Sequence, residues 1–451
     1  MATIQSDVVG YLRSRNVDAL VGTIVSPAGV TQAKVVDINR VPEFARDGLS
    51  AGPAWHTTAA DGIGTASAPT SGAFSVVGDH HIRIDLDGLR VLEDGLAWAP
   101  AGFHNHDGEP VAACARGTLD RVTTALAESG FTAVVGHELE FLVLDADAEP
   151  VPSPAWAQYG VAGVLDHERF VRDLITAARA AEVDIEAVHP SYGAGQFEVS
   201  LAPLSPVAAA DQLVAARLVV GRVARNHGRR VSMSPTPFAG GVGIAAHQNL
   251  SIKGRHGPLF SGGGSTAGLT ELGTAALAGI VGGLADLQGV FAGSIVSGLR
   301  LSPELRASVF TCWGRENRSA AVRFIPKQDT HGHGARVEIR VIDPSANPYL
   351  ATAALLGLAV DGISRGATLP PETAVDPQVL SDAQRHSAKI HRLSTDQSTV
   401  IDALEHAPLA RSVLGDDVVD AVVAVRRYET RHYGEMDTDD LTERFRMAWS
   451  V

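Results

Sequence analysis

The segment HELEF sets Glu138 and Glu140 two positions apart. In an extended strand that spacing sends both carboxylates to one face while Leu139 and Phe141 turn to the other. Like charges side by side repel, so the pair either lies on a solvent-facing strand edge or shares a divalent cation. QFEVS repeats the pattern with Gln196 and Glu198 directly after the glycine-rich stretch HPSYGAG, GARVEIR aligns Arg336, Glu338 and Arg340, and AAHQNLS adds His247, Asn249 and Ser251. Taken singly, the histidine reads as a satisfied core residue and ARVEIR as a surface ion-pair ladder. Taken together they offer carboxylate oxygens and an imidazole on strands, a donor set suited to Mg²⁺ or Mn²⁺ rather than to a thiolate-seeking metal. GRENRSAAVRFIP supplies Arg315, Arg318 and Arg323, which either form a solvated basic face or clamp a polyphosphate. Neither GxxxxGK[ST] nor a strand-borne GxGxxG occurs, so a nucleotide would be held in another way. The pairs His104 with His106 and His331 with His333 read as loop residues.

These groups need elements to position them. Residues 5–16 read as a first helix, and VGTIVSPAGVTQAKVVDI as two strands around the turn SPAG. Residues 46–76, crowded with Gly, Ala, Ser and Thr, read as a long loop. Alternation returns in GDHHIRIDLDGLRVLEDGLAWAP and stops at its proline, which places a domain boundary near 100–110. Beyond it strands and helices alternate: FTAVVGHELEFLVL, a helix over 166–182, DIEAVHP, QFEVSL, and a helix over 206–227. The chain is largely helical from 347 onward.

The 451 residues, 45% hydrophobic and 20% charged, suffice for a sizeable core in two or three domains. With 37 Lys plus Arg against 51 Asp plus Glu the formal charge is -14, which argues against a nucleic-acid partner. The most membrane-like segment, LGTAALAGIVGGLA, is short and glycine-rich and fits a buried helix. MATIQSDVVGYLRSRN places Asp7 and two arginines where a secretory leader needs an apolar run. The two cysteines, Cys114 and Cys312, read as core thiols. A cytoplasmic protein is expected.

In the order HELEF, GAGQFE, AAHQNLS, GRENRSAAVR and ARVEIRVIDPSANPYLATAALL, the chain resembles the glutamine synthetase family over nearly its whole length. The resemblance implies an α+β fold: a small N-terminal β-grasp domain, 1–104, and a large catalytic domain, 105–451, built on a curved antiparallel sheet flanked by helices. It implies homo-oligomeric rings, a dodecamer of two hexamers, with active sites between subunits. It also implies ATP and two or three Mg²⁺ or Mn²⁺ ions per site. By the same resemblance Glu140 and Glu198 hold the metal near the amino-acid substrate, while Glu138, His247 and Glu338 hold that at the phosphates. Arg318 and Arg323 stabilise the transferred phosphoryl group, Arg300 the glutamate α-carboxylate, and Arg340 the reacting carboxylate. Gly243 lies near the α-amino group, and Asn249, Ser251, Arg336 and Arg323 contact the nucleotide.

The departures concentrate on one substrate. Ser191 stands where the family carries an acid that binds metal and ammonium, Arg306 where it carries the acid that guards the entrance, and GLSAGPAW replaces an Asp-Gly-Ser-Ser element. Tyr159 matches a tyrosine of the ammonium site. Ammonium needs negative charge to bind and a base to become nucleophilic, so the expected product is a γ-glutamyl amide of an organic amine, with Ser191 making room for the substituent. Arg306 leans that expectation away from polyamines and toward weakly basic or carboxylate-bearing amines. The alternatives are a glutamine synthetase using ammonium and an inactive structural or regulatory member. His391 stands where some relatives carry a modified tyrosine, and Thr236 where a lysine is common.

Overall fold

The computed structural model describes residues 7–64, 78–265, 267–301, 308–327 and 333–451. Fifteen strands are described: β1 Ala19–Val25, β2 Thr31–Asp37, β3 Leu49–Ala51, β4 His80–Ile84, β5 Arg90–Leu92, β6 Leu96–His104, β7 Thr132–Leu144, β8 Ile185–Pro190, β9 Gln196–Leu201, β10 Arg230–Ser232, β11 Gln248–Gly254, β12 Gly257–Pro258, β13 Phe310–Arg315, β14 Ala320–Ile325 and β15 Arg336–Ile339.

The first six form one sheet in the order β2-β1-β6-β4-β3, with β5 beside β6. Asp7 starts the helix Val8–Ser14 by accepting a hydrogen bond from the Gly10 amide, as an N-cap should. In the SPAG turn, Gly29 takes a φ of +80° that a side chain would resist. Leu12, Leu20, Phe44 and Phe103 are buried in the core of this sheet. Two sequence expectations change here. Strand β6 does not stop at its proline: Pro100 is the last residue paired with β1 and Ala101 the first of the run paired with β4, so the missing N–H falls where the strand changes neighbours. The expected 46–76 loop contains β3, paired to β4, and a 3₁₀ turn over Pro53–Thr57, because edge pairing and burial of Ala51 stabilise a segment with no visible period. Residues 65–76 of that loop lie outside the described ones.

The other nine strands curl into a sheet in the order β13-β14-β15-β11-β7-β9-β8, with β10 on β7 and β12 on β11. It is antiparallel except for the β13/β14 pair, which is parallel. Helices Ala115–Glu128, Pro206–Asn226 and Pro348–Arg365 flank it. Asn347 caps the last of these by accepting from the Tyr349 and Leu350 amides, and its Nδ2 donates to the carbonyls of Val25 and Ser26. One side chain thus starts a helix of the large sheet's layer and holds the β1–β2 turn of the small sheet. The glycine-rich segment is the helix Glu271–Gly283. A Cβ on Gly279 would come within 2.2 Å of the Leu358 carbonyl oxygen, and one on Gly362 within 2.3 Å of that of Ala275, so the two helices pack backbone to backbone only because both positions are glycine. No helix among the described residues is long and apolar enough to cross a membrane. The helix expected over 166–182 is two, Val161–Asp166 and Glu168–Ala180, parted at His167. Cys114 and Cys312 are buried and unpaired. His104 ends β6 rather than lying in a loop, because it pairs with His81 of β4.

Candidate active site

Register lines up the chemistry. On the β7 side, Glu140 is paired with Glu198 of β9, which is paired with His189 of β8; Glu138 faces Ser200. On the other side, Asn249 of β11 pairs with Glu338 of β15, and Glu338 with Arg323 of β14. Residues distant in sequence therefore become neighbours on one face of the sheet, at the short cross-strand spacing.

At its centre, ligand atoms of Glu138, His247 and Glu338 lie within 4.8 Å of one another. His247 Nδ1 is 3.1 Å from Glu138 Oε2 and 3.4 Å from Glu338 Oε1. Burial works to raise the Glu138 acid, but hydrogen bonds from His247 and Asn249 and the charge of Arg340 outweigh it and hold it at about 2. Glu338 is buried between Arg323, 2.9 Å away, and Arg340. Glu198 has no such relief: burial first, then the carboxylates of Glu138, Glu140 and Glu338, push its acid up to about 9. Carboxylates crowded around one imidazole with no thiolate fit a hard dication.

Both oxygens of the Glu140 carboxylate accept hydrogen bonds. Ser191 donates its hydroxyl to Oε1 at 2.9 Å, while the Ala245 amide and Gln196 Nε2 donate to Oε2 at 2.7 and 3.1 Å. Ser191 itself is 1% exposed, so it sits behind Glu140. Next to this group lies Arg300, buried, donating to the Val341 carbonyl and 3.8 Å from Asp343. A Cβ on Gly243 would stand 2.5 Å from Arg300 Cγ, so the glycine is what lets the arginine occupy this place.

Two cavities share Arg336. The first, about 510 Å³, is lined by Glu138, Glu140, Glu198 and His247 on one side and by Arg300, Arg318, Arg323 and Arg340 on the other, with Gly243 and Tyr159 also at its wall. The second, about 420 Å³, contains Asn249 and Ser251 and is walled by Val134, Pro203, Ile252 and Lys253. Arg336 Nε donates to Asn249 Oδ1 at 3.1 Å, and Ser251 to the Ala335 carbonyl at 2.9 Å. Arg340 also donates to the Arg318 carbonyl and to Ser308. Arg306 and His331 lie outside the described residues. Arg315 is turned away, paired with Glu372 at 3.1 Å, and His333 is 3.1 Å from Glu186. The sequence reading missed His189, Tyr192, Val242 and Ser308 at the first cavity. Only the i, i+2 phase of β8 opposite Glu198 could have signalled His189, and nothing in the sequence signalled the others.

The glutamine synthetase catalytic domain matches residues 112–444. A gamma-glutamylpolyamine synthetase of Streptomyces coelicolor is 35% identical over 447 residues, covering 98% of this chain and 95% of that protein. A glutamine synthetase of Clostridium saccharobutylicum is 29% identical over 364 residues, 79% of this chain and 82% of its own. A crystal structure of a glutamine synthase homologue superposes with a TM-score of 0.85 at 26% identity, covering 96% of this chain and 99% of that one. With the catalytic domain matched over most of its length and a relative aligned almost end to end, this chain belongs to the glutamine synthetase family.

Proposed function

We infer that the protein is an ATP-dependent ligase that joins the γ-carboxylate of L-glutamate to an organic amine through a γ-glutamyl phosphate. The observation that carries this reading is the contrast between the wall of the first cavity and the residue packed behind Glu140. The cluster of Glu138, His247 and Glu338 and the arginines around it are all present, whereas Ser191, where the family resemblance sets an acid, is buried and spends its hydroxyl on Glu140. Phosphoryl chemistry is provided for, and tight capture of ammonium is not. The 35% identical relative, named for ligation to polyamines, supports an organic acceptor and runs against the expectation, drawn from Arg306, that polyamines are disfavoured.

In this reading Arg300 holds the glutamate α-carboxylate, with Gly243 near the amino group. Arg340 orients the γ-carboxylate, which attacks the terminal phosphorus of ATP; the O–P bond forms and ADP departs. Arg318 and Arg323 stabilise the charge on the transferring group. Asn249, Ser251 and Arg336 hold the nucleotide in the second cavity. The amine nitrogen then attacks the acyl carbon beside Tyr159, phosphate leaves, and the nitrogen loses a proton. Divalent cations held by Glu138, His247 and Glu338, and by Glu140 with Glu198, offset the crowding of phosphate and carboxylate charge when bound. We also take residues 1–104 and 105–451 as two domains and the working unit as a ring-shaped homo-oligomer of two hexamers acting in the cytoplasm.

The test is phosphate release from ATP with glutamate and Mg²⁺, ammonium against a panel of alkyl, aromatic, hydroxylated, polyamine and amino-acid acceptors, with products identified by mass. An organic amine should exceed ammonium by at least about tenfold in kcat/KM and yield its γ-glutamyl amide. Accumulation of glutamine with ammonium as the best acceptor would show a glutamine synthetase instead.

A further inference from the structure

We propose that Tyr192, with Tyr159, forms an aromatic shelf at the mouth of the first cavity that binds the distal cationic group of a diamine or polyamine acceptor; this rests on the reading of the cavity as a glutamyl–amine ligase site. The two rings stand 6.0 Å apart at 60°, and Tyr159 lies 5.5 Å from the ring of His189. Tyr159 is 55% and Tyr192 40% exposed although both line the cavity. Four other aromatic rings among the described residues carry a lysine or arginine side chain; neither of these two is among them. Both rings are thus partly exposed at the cavity, and an aromatic face attracts an ammonium more strongly as it is desolvated.

The shelf is held in place at a cost. Tyr159 has a φ of +58°, a left-handed conformation that costs a non-glycine residue energy and persists only where surrounding structure enforces it. Tyr159 lies inside a turn closed by the Gly160 amide donating to the Ala157 carbonyl at 2.8 Å; just before it, Trp156 donates its indole N–H to the Ser191 carbonyl at 3.3 Å and meets Phe197 edge-on at 5.5 Å. The same short segment, Ser191–Tyr192, thus carries the serine that stands in place of the acid, one shelf ring and the carbonyl that accepts from Trp156. Ammonium has no second charge to place on the shelf, and an aromatic amine would meet it without using the attraction for charge.

The experiment measures kcat/KM for 1,4-diaminobutane against 1-aminopentane, which replaces the distal ammonium by a methyl group at equal chain length, in the full-length enzyme and in Tyr192→Leu, Tyr159→Leu and Tyr192→Phe. The ratio cancels effects common to both acceptors. The native enzyme should prefer the diamine by about tenfold or more. Each leucine variant should cut that ratio about five- to tenfold, and Tyr192→Phe, which keeps the ring, should preserve it within about twofold. If γ-glutamyl amides form but the ratio is near one, or is unchanged in the leucine variants, the shelf is wrong while the ligase reading stands. If benzylamine outcompetes the diamine and depends on Tyr192, the rings stack rather than bind charge and the proposal also fails. If only glutamine is formed, both readings fall.

Discussion

At the scale of single residues, the proposed reading turns on two positions. Ser191 is packed against Glu140, so Ser191→Glu would set a further carboxylate beside Glu140 and near Glu198. Its like-charge repulsion needs a cation. The variant should lose thermal stability without Mg²⁺ and regain more than the native chain on adding it. Its kcat/KM for ammonium relative to the best organic amine should rise about tenfold, read from the two products in competition. In the proposed reading Gly243 bears on the other substrate. Gly243→Ala would drive a methyl group against Arg300, and displacement of a positioning group by about 1 Å costs up to about 100-fold. We expect kcat/KM for glutamate to fall about 10- to 100-fold with little change in Tm; an unchanged value would show that Arg300 does not hold this substrate.

At the scale of elements, the rows across β7, β9, β11 and β15 concentrate negative charge. Glu198 keeps its proton up to about pH 9 in the folded chain, through burial and then its neighbours Glu138, Glu140 and Glu338, whereas an unfolded chain releases it near the ordinary carboxylate value. The stabilisation this proton represents is present in full at low pH and is lost as pH rises toward 9. A dication that replaces the proton should therefore raise Tm more at about pH 8.5 than at about pH 6.5. Titration calorimetry near pH 7, in buffers of different ionisation enthalpy, should find about one proton released per site, and Glu198→Gln should abolish that release. Metal binding without proton release would contradict the crowding described for this face.

At the scale of the whole molecule, specific side-chain contacts join the two sheets. The segment following β3 is tied to the helix Asp416–Tyr433: the Ala60 amide donates to Glu429, and the hydroxyls of Tyr428 and Tyr433 donate to Asp61. Glu429 is in turn paired with buried Arg426 at 2.9 Å. Removing one partner of a buried pair leaves an uncompensated charge, at about 3–5 kcal/mol. Glu429→Ala should lower unfolding stability by about that much in urea denaturation, and Arg426→Met with Glu429→Leu should recover a large part of it. A loss no greater than for an exposed pair would mean this junction does not hold the small sheet to the large one.

Much of this protein is legible in its sequence because period and spacing are local. The alternation in HELEF and QFEVS, the helices over 206–226 and from 348, and the glycine-rich helix all follow from which side chains lie two or three to four positions apart. What spacing could not supply is pairing between segments. That Glu140 meets Glu198 and His189, or that Glu338 lies between Asn249 and Arg323, depends on strand register set by the burial of whole sheet faces. The continuation of β6 through Pro100 and the pairing of β3 inside a stretch without period were hidden for the same reason: their stabilising partners lie elsewhere in the chain. The amino-acid sequence determined which chemical groups are available, including the serine at 191. Tertiary structure decided which of them meet, and placed the partly exposed Tyr192 and Tyr159 at the first cavity.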